Sequence, residues 1–202
     1  MDMHEWKYEI IVVDDGSKDS TQSVLKKYNG RLPLRVITHE KNLGYGAALR
    51  SGFAAATHDW IFFMDSDRQF HIEEIDKLIP FADDHELVVG YRVNRRDTHI
   101  RLLNAWLFHK LIFLLFGLAI RDIDCAFKLI KRDVIERAHL ESAGAFINSE
   151  LLIKAQRMGY RIKEVPVGHY PRIVGTSTGA NIRVILRALG EVLKFRLIGR
   201  VT

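Results

Sequence analysis

Cysteine is scarce in this sequence, and the scarcity limits the class of protein. Among 202 residues Cys125 is the only cysteine, so no disulfide can form within the chain and nothing indicates an oxidising compartment. Residues 1–9, MDMHEWKYE, contain no apolar run, and we expect no signal peptide. Internal repeats, low-complexity tracts and Pro- or Gly-rich linkers are also missing, and with 48% hydrophobic residues the chain is expected to form one globular domain, residues 1–202.

An uninterrupted apolar run that could span a membrane is missing as well. Residues 102–120 have about the length that a span requires, but His109 and Lys110 fall near the middle. A charge at the bilayer centre costs roughly 2.5 to 3.5 kcal/mol even on a lenient insertion scale. We therefore do not expect a transmembrane helix.

Acidic residues are few in the second half of the chain. From residue 92 to residue 132 nine Lys or Arg stand against three Asp, and from 172 to 200 six stand against Glu191 alone. This surplus indicates an anionic partner, for which nucleic acid, a phosphate-bearing substrate and an anionic membrane surface are candidates.

The first 92 residues alternate between apolar runs and segments with helical periodicity. Strands are predicted at 8–15, 34–39, 59–65 and 86–92, with helices at 19–30, 42–57 and 71–82 between them. Apolar strands without alternation, separated by short helices, predict a mostly parallel sheet with helices on both faces, which is an α/β fold.

After Arg92 the pattern is mainly helical, with one extended segment at 160–167. Residues 180–202 predict a C-terminal amphipathic helix that either lies at an interface or packs on the core as a solvated surface helix. One face would carry Ile182, Ile185, Leu186, Leu189 and Leu193, and another Arg183, Arg187 and Lys194.

Charged residues follow three of the predicted strands. Asp14 and Asp15 end the first strand, Asp65 and Asp67 end the third, and Arg92 ends the fourth. In open α/β sheets ligands bind outside the carboxyl ends of the strands. The pattern therefore predicts that these side chains meet at one edge, where they could hold a divalent cation and a phosphate together.

Two short motifs each allow two interpretations. Asp65 and Asp67, with the amide oxygen of Gln69, could bind Mg²⁺ or Mn²⁺, or the aspartates could simply form a turn at a strand end. The motif DDGSKDST at 14–21 could present a carboxylate to a nucleotide. Alternatively it forms a turn followed by a helix N-cap, which explains its later residues but not the pair of aspartates. NLGYGAALRSG at 42–52 lacks the third glycine in phase, so it fails as a dinucleotide-binding fingerprint.

Taken in order, these and further motifs resemble the family-two inverting glycosyltransferases with the GT-A fold, in particular the dolichol-phosphate mannose synthase and polyprenyl-phosphate glycosyltransferase branch. The motifs are VVDDGSKDST, NLGYGAALRSGF, MDSDRQF, GYR, RDIDCAFKLIKRDV, INSELLIKAQRMGYRIKEVPV and PRIVGTS.

The resemblance implies a role for several residues. Asp65, Asp67 and Gln69 would bind the metal, and Asp67, Arg92, Arg101 and Glu150 would act at the reacting centre, where the two arginines hold the acceptor phosphate. Donor-binding residues would be Asp14, Asp15, Asp65, Arg172 and Ser177. Asp124 and Lys128 are weaker candidates for the acceptor pocket.

The implied reaction moves a sugar from GDP-mannose or UDP-glucose to dolichyl or undecaprenyl phosphate, with Mg²⁺ or Mn²⁺ as cofactor. The enzyme would bind peripherally at the cytoplasmic face of the membrane and would have no nucleic-acid partner. The resemblance does not indicate an oligomeric state.

One departure from the family concerns the start of the domain. Members normally open with a strand and loop resembling SVVIPAYNE, followed by a helix, before the strand that ends in DDGS, whereas seven residues precede that strand here. We therefore expect an N-terminally truncated GT-A fold without one interior strand. The alternative function is a non-catalytic GT-A domain that keeps metal or membrane affinity.

Overall fold

The computed structural model describes residues 7–28, 30–93, 99–171 and 182–198. The first half alternates strands and helices as predicted, with elements slightly shorter than expected. They are β1 (Ile10–Asp14), α1 (Thr21–Tyr28), β2 (Leu34–Thr38), α2 (Tyr45–Ala55), β3 (Trp60–Met64) and β4 (Leu87–Val93). Two 3-10 helices, Ile72–Lys77 and Ile79–Phe81, take the place of the helix predicted at 71–82.

The second half adds a strand that was not predicted. β5 (Phe127–Lys131) follows α3 (His99–Phe116) and precedes α4 (Arg132–Ala138) and α5 (Ile147–Arg157). The predicted extended segment forms β6 (Ile162–Gly168), and the C-terminal helix is α6 (Ile182–Ile198). No helix among the described residues is long and apolar enough to cross a membrane.

The strands form two sheets. β1 and β2 pair in parallel, and the larger sheet has the order β3-β5-β4-β6. β5 runs antiparallel to both of its neighbours, while β4 and β6 are parallel. The carboxyl ends of β3, β4 and β6 therefore lie at the same edge of the larger sheet.

In each sheet one strand has a described partner on one side only. Within the described residues β1 pairs only with β2, and β3 pairs only with β5. Helix α2 packs on both sheets, since Gly52 lies against Val13 of β1 and the ring of Phe53 meets Phe63 of β3 edge-on at 5.5 Å. The Glu9 carboxylate, just before β1, also accepts hydrogen bonds from the amide and hydroxyl of Thr57, both at 2.7 Å.

Burial differs between the two sheets. In the larger sheet Val88, Val89 and Phe127 are completely buried. In β1 the apolar side chains of residues 10–13 are only half-buried. The hydrophobic core therefore lies around β4 and β5, between α3, α5 and the central strands, and the β1-β2 ribbon sits at its margin.

Candidate active site

The predicted metal site is a turn directly after β3. The carboxylate of Asp67 accepts a hydrogen bond from the Gln69 amide at 3.0 Å, and Arg68 between them adopts a left-handed conformation with φ of 62°. This is an Asx-type turn. Asp65 and Asp67 are half-exposed there. The turn interpretation and the metal interpretation are compatible, because a carboxylate can accept several bonds.

Gln69 connects this turn to the segment that follows β6. Its side chain is buried, and its amide nitrogen lies 3.1 Å from Nε2 of His169 and 3.3 Å from the carbonyl oxygen of Tyr170. Arg68, Phe70 and Tyr170, with His71 and Pro171, line an open cavity of about 520 Å³ beside it. The turn after β3 and the segment after β6 therefore meet at this edge, a contact that differs from the predicted meeting of the ends of the first, third and fourth strands.

Asp15 faces the N-terminus of α2. Its two oxygens accept hydrogen bonds from the amides of Leu43 and Gly44, each at 2.9 Å, and Nδ1 of His39 lies 2.7 Å away. Burial opposes ionisation, but the bonds from His39, Leu43 and Gly44 outweigh it and lower the pKa of Asp15. The carboxylate predicted to contact the nucleotide thus orients the loop that opens α2.

Asp14 and Gly16 shape the turn after β1. Asp14 is buried and accepts a hydrogen bond from the Ser17 amide at 2.9 Å, and bonding to Ser17 lowers the pKa of Asp14. Gly16 has φ of 74°, and a Cβ there would lie 2.6 Å from the Lys41 backbone. The DDGS motif therefore packs the end of β1 against the chain leaving β2, which any side chain at position 16 would prevent.

Arg92 forms a buried ion pair with Asp122. Its Nε and Nη2 each lie 2.7 Å from one carboxylate oxygen, and its amide donates to the same group at 3.1 Å. Although burial acts in the opposite direction, the pairing raises the pKa of Arg92. A lipid phosphate would have to compete with Asp122 for this guanidinium group.

Glu150 was expected near the acceptor, but its carboxylate is buried and directed at its own protein. It accepts hydrogen bonds from the amides of Glu141 and Ser142 at 2.9 and 2.8 Å and from Nζ of Lys154 at 2.8 Å. Despite burial, these bonds lower the pKa of Glu150. Glu150 therefore holds the loop before α5.

The other predicted residues are divided between described and undescribed parts of the chain. Arg101 lies half-buried in the first turn of α3. Arg172 and Ser177 lie outside the described residues. Asp124 is near His109, with Oδ2 and Nε2 4.0 Å apart, and burial raises the pKa of Asp124.

Lys128 is the residue whose position the sequence reveals least. Lys128 is completely buried in β5. Its ammonium group donates to the carbonyl oxygens of Ile123 and Cys125 and to Oδ1 of Asn148. Burial lowers the pKa of Lys128. These bonds hold the 122–126 turn against α5. Neither Asn148 nor His169 was singled out, because a lone Asn or His in an apolar segment carries no spacing signal.

The donor set suits a hard divalent cation. Within the part of the chain that the structure describes, no group of three or more His, Cys, Asp or Glu side chains could enclose a metal. Asp65 and Asp67 provide carboxylate oxygens, and Gln69 adds an amide group. Mg²⁺ is commonly bound through one or two carboxylates plus phosphate oxygens and water, so these residues fit a metal whose remaining ligands come from outside the protein.

Comparison with known proteins decides the family. The sequence profile described as glycosyl transferase family 2 matches residues 4–138. The chain belongs to this family. The resemblance that the motifs indicated is therefore confirmed at the level of the family.

Two curated relatives of this family 2 chain are bacterial. The dodecaprenyl-phosphate galacturonate synthase of Rhizobium johnstonii is 31% identical over 96% of the chain and 59% of the relative. The undecaprenyl-phosphate 4-deoxy-4-formamido-L-arabinose transferase of Enterobacter sp. is 34% identical over 88% of the chain and 54% of the relative. The chain thus spans little more than half the length of these proteins.

Solved structures support the fold of the family 2 chain. The glucosyl-3-phosphoglycerate synthase of Mycobacterium tuberculosis, in complex with Mn²⁺, uridine diphosphate and glucosyl-3-phosphoglycerate, superposes with a TM-score of 0.73. The match covers 93% of this chain and 68% of that one at 21% identity. The predicted α/β, GT-A-like fold is confirmed.

Proposed function

We propose that this chain is a metal-dependent inverting glycosyltransferase that moves a sugar from a nucleotide-diphosphate donor to a polyprenyl phosphate. The observation that carries the proposal is the turn after β3, where Asp65, Asp67 and Gln69 stand beside the segment that follows β6. The two curated relatives are named as transferases that use polyprenyl phosphate, which supports the acceptor class.

In the proposed reaction the residues position two anions. Asp65, Asp67 and Gln69 would hold Mg²⁺ or Mn²⁺, and the metal's charge would favour departure of the nucleoside diphosphate. Arg101, together with Arg172 and Ser177, would bind phosphate groups, while Arg92 supports the site through Asp122. The acceptor phosphate is already an anion, so attack on the anomeric carbon needs positioning more than a strong base.

Helices α3 and α6 would place the site at a membrane surface. Their rings meet at Phe116 and Phe195, 5.6 Å apart, so the helices are neighbours. Both leave large apolar side chains in solvent: Ile100, Leu103, Trp106, Leu107, Phe113 and Leu114 on α3, and Leu186, Leu193 and Leu197 on α6. A peripheral position at the cytoplasmic face would let the lipid tail stay in the bilayer while its phosphate reaches the site.

Transfer of labelled sugar to polyprenyl phosphate tests the proposal. The donor panel holds GDP-mannose, UDP-glucose and the nucleotide sugars of galacturonate and 4-deoxy-4-formamido-L-arabinose, because those two sugars appear in the names of the relatives. With Mg²⁺ or Mn²⁺ we expect lipid-linked product that Asp67→Ala abolishes. Asp76→Ala, at an exposed acidic position in a 3-10 helix, should leave transfer unchanged. Undiminished transfer by Asp67→Ala would refute the assignment.

A second candidate function is a non-catalytic domain that keeps metal or membrane affinity. Among the described residues β1 pairs on one side only, which would leave Asp14 and Asp15 at its end with less support and favours this candidate. This candidate predicts Mn²⁺ or vesicle binding without turnover, so any metal-dependent product formed by the 202-residue chain eliminates it.

A further inference from the structure

A backbone carbonyl from a distant loop caps the N-terminus of α2. The carbonyl oxygen of Ala143 accepts hydrogen bonds from the amides of Gly46 and Ala47 at 2.9 and 3.4 Å. The first amides of a helix have no partner within the helix, so a carbonyl in this position satisfies them. The start of α2 therefore depends on the loop between α4 and α5.

The peptide unit that supplies this carbonyl, Ala143–Gly144, is bonded to α6 at its other end. We call it the capping peptide. Its N–H group, the Gly144 amide, donates to Oε1 of Glu191 at 2.9 Å. In a planar trans peptide the C=O and N–H groups point in opposite directions, so a bond to the N–H also sets the direction of the C=O. Because the acceptor is a carboxylate, the bond is charge-assisted and stronger than a neutral one.

Glycine allows this loop to pack closely on both sides. A Cβ on Gly46 would lie 2.5 Å from the carbonyl oxygen of Ser142, and a Cβ on Gly144 would lie 2.8 Å from Oε2 of Glu191. Distances this short leave no room for a side chain at either glycine. The loop is therefore packed directly between α2 and Glu191.

Glu150 holds a different part of the same loop. Its carboxylate accepts hydrogen bonds from the amides of Glu141 and Ser142, which precede the capping peptide. Among the described residues, the side chain that bonds to the capping peptide itself is that of Glu191. The orientation of the cap on α2 is therefore assigned to Glu191.

The start of α2 in turn holds Asp15. The amides of Leu43 and Gly44 donate to its two carboxylate oxygens, each at 2.9 Å. Gly44 is the N-cap residue of α2, and its carbonyl oxygen accepts the Ala48 amide at 3.0 Å. A shift in the first turn of α2 would therefore move the groups that donate to Asp15.

We propose that Glu191 is a positioning residue for the nucleotide donor. Through the capping peptide it fixes the start of α2, and through Leu43 and Gly44 it keeps the Asp15 carboxylate in place for the nucleotide. Helix α6 then supports donor binding in addition to its proposed contact with the membrane. This inference rests on the proposed function, because it assumes that Asp15 contacts a nucleotide.

Binding of UDP and GDP in the presence of Mn²⁺, measured by isothermal titration calorimetry, tests the proposal without using turnover. Glu191→Met and Glu191→Gln both keep about the size of the side chain, but glutamine alone retains a carbonyl oxygen that can accept the Gly144 amide. We expect Glu191→Met to weaken nucleotide binding about 5-fold or more, and Glu191→Gln to bind close to the wild-type value. Glu136→Met, the same change at an exposed glutamate of α4, should have no effect.

Amide hydrogen exchange separates a positioning role from a general loss of stability. In Glu191→Met the amides of residues 43–47 should exchange faster, while those of β4 and β5 should exchange as in the wild type. Since coupling between two sites is reciprocal, saturating the wild type with nucleotide and Mn²⁺ should slow exchange of the Gly144 amide. This measurement needs no substitution, so it decides the question even if Glu191→Met does not fold.

Failure of this inference can be told apart from failure of the proposed function. If the wild-type chain binds nucleotide and folded Glu191→Met binds it equally well, the role of Glu191 is wrong and the proposed donor site stands. A loss in Glu191→Gln as large as in Glu191→Met, faster exchange throughout β4 and β5, or unchanged exchange of the Gly144 amide on saturation would each overturn it too. If the wild-type chain binds neither UDP nor GDP, the proposed donor site is wrong and the inference falls with it.

Discussion

At the scale of single residues, Glu150 shows a carboxylate used for stability. Its three hydrogen bonds are all charge-assisted, and the pKa of Glu150 lies below its ordinary value of 4.5. The stability that it contributes is complete above pH 4.5 and is lost as the pH falls through the lowered pKa of the folded state.

Glu150→Gln should therefore lower the free energy of unfolding at pH 7 by about 1 to 3 kcal/mol. The difference from the wild type should shrink as the pH falls below 4.5, because the protonated wild-type side chain resembles glutamine. Urea unfolding at pH 7 and at pH 4 measures both effects, and the exposed Glu141→Gln serves as control. An equal loss at the two pH values would contradict the charge-based explanation.

Arg92 and Asp122 permit a second prediction at this scale. Their side chains are 7% and 5% exposed, so removing one partner leaves the other charge buried. We expect Arg92→Ala to destabilise the fold by about 3 to 5 kcal/mol. The double variant Arg92→Ala with Asp122→Ala should lose clearly less free energy of unfolding than the sum of the losses in the two single variants. A denaturant-based double-mutant cycle measures this coupling, and additive losses would show that the pair is not a unit.

At the scale of elements, most strands could be predicted from the sequence. They are apolar runs with little alternation between apolar and polar residues, and they are rich in β-branched residues. β5 was not predicted because its sequence, FKLIK, is short and contains Lys128. Lysine is almost never fully buried without partners. Its partners, two carbonyl groups and Asn148, are assembled only by the tertiary fold. The helix predicted at 71–82 contains Pro80, which in the interior of a continuous α-helix would lack an amide hydrogen to donate and would clash with a preceding carbonyl; in the structure Pro80 lies in the first turn of the second 3-10 helix.

Site residues were predictable to the extent that they follow strands. The Asp65–Asp67 turn lies where expected, because the end of an apolar run marks the sheet edge. The buried partners of Arg92 and Glu150 could not be inferred, since Asp122 is distant in sequence and the contacts of Glu150 are mostly backbone amides. Sequence shows which residues carry charge but not which charges the fold neutralises.

The open edges of β1 and β3 lead to a prediction about elements. Unpaired strand edges bind added strands through main-chain hydrogen bonds. We expect a synthetic peptide resembling SVVIPAYNE to raise the melting temperature of this chain by several degrees. The free energy of unfolding would rise by about 2.7 kcal/mol when the peptide concentration is 100 times its Kd. Thermal melting with the peptide and with a scrambled peptide measures the effect, and equal shifts for both would show that the gap does not select a strand.

At the scale of the whole molecule, charge and apolar surface are concentrated on the same helices. α6 carries Arg183, Arg187, Lys194 and Arg196 along with exposed Leu186, Leu193 and Leu197. Each Lys or Arg near an anionic leaflet contributes about 1 kcal/mol, and this attraction decays within a Debye length. The chain should therefore bind vesicles that contain anionic lipid, bind neutral vesicles weakly, and dissociate partly as salt increases.

Leu193→Glu combined with Leu197→Glu should reduce binding to anionic vesicles strongly, because both leucines are exposed and the change replaces apolar contact with repulsion. Leu193 and Leu197 are 60% and 83% exposed, so the fold should tolerate the substitutions. Val24→Glu, at a 43% exposed position on α1, controls for added negative charge on a different helix. Vesicle sedimentation at two salt concentrations measures the binding. If α6 docks on the membrane, negative charge should weaken vesicle binding only when it is added to α6. If Val24→Glu weakens vesicle binding as much as the α6 variant does, net charge governs attachment and a defined face of α6 does not.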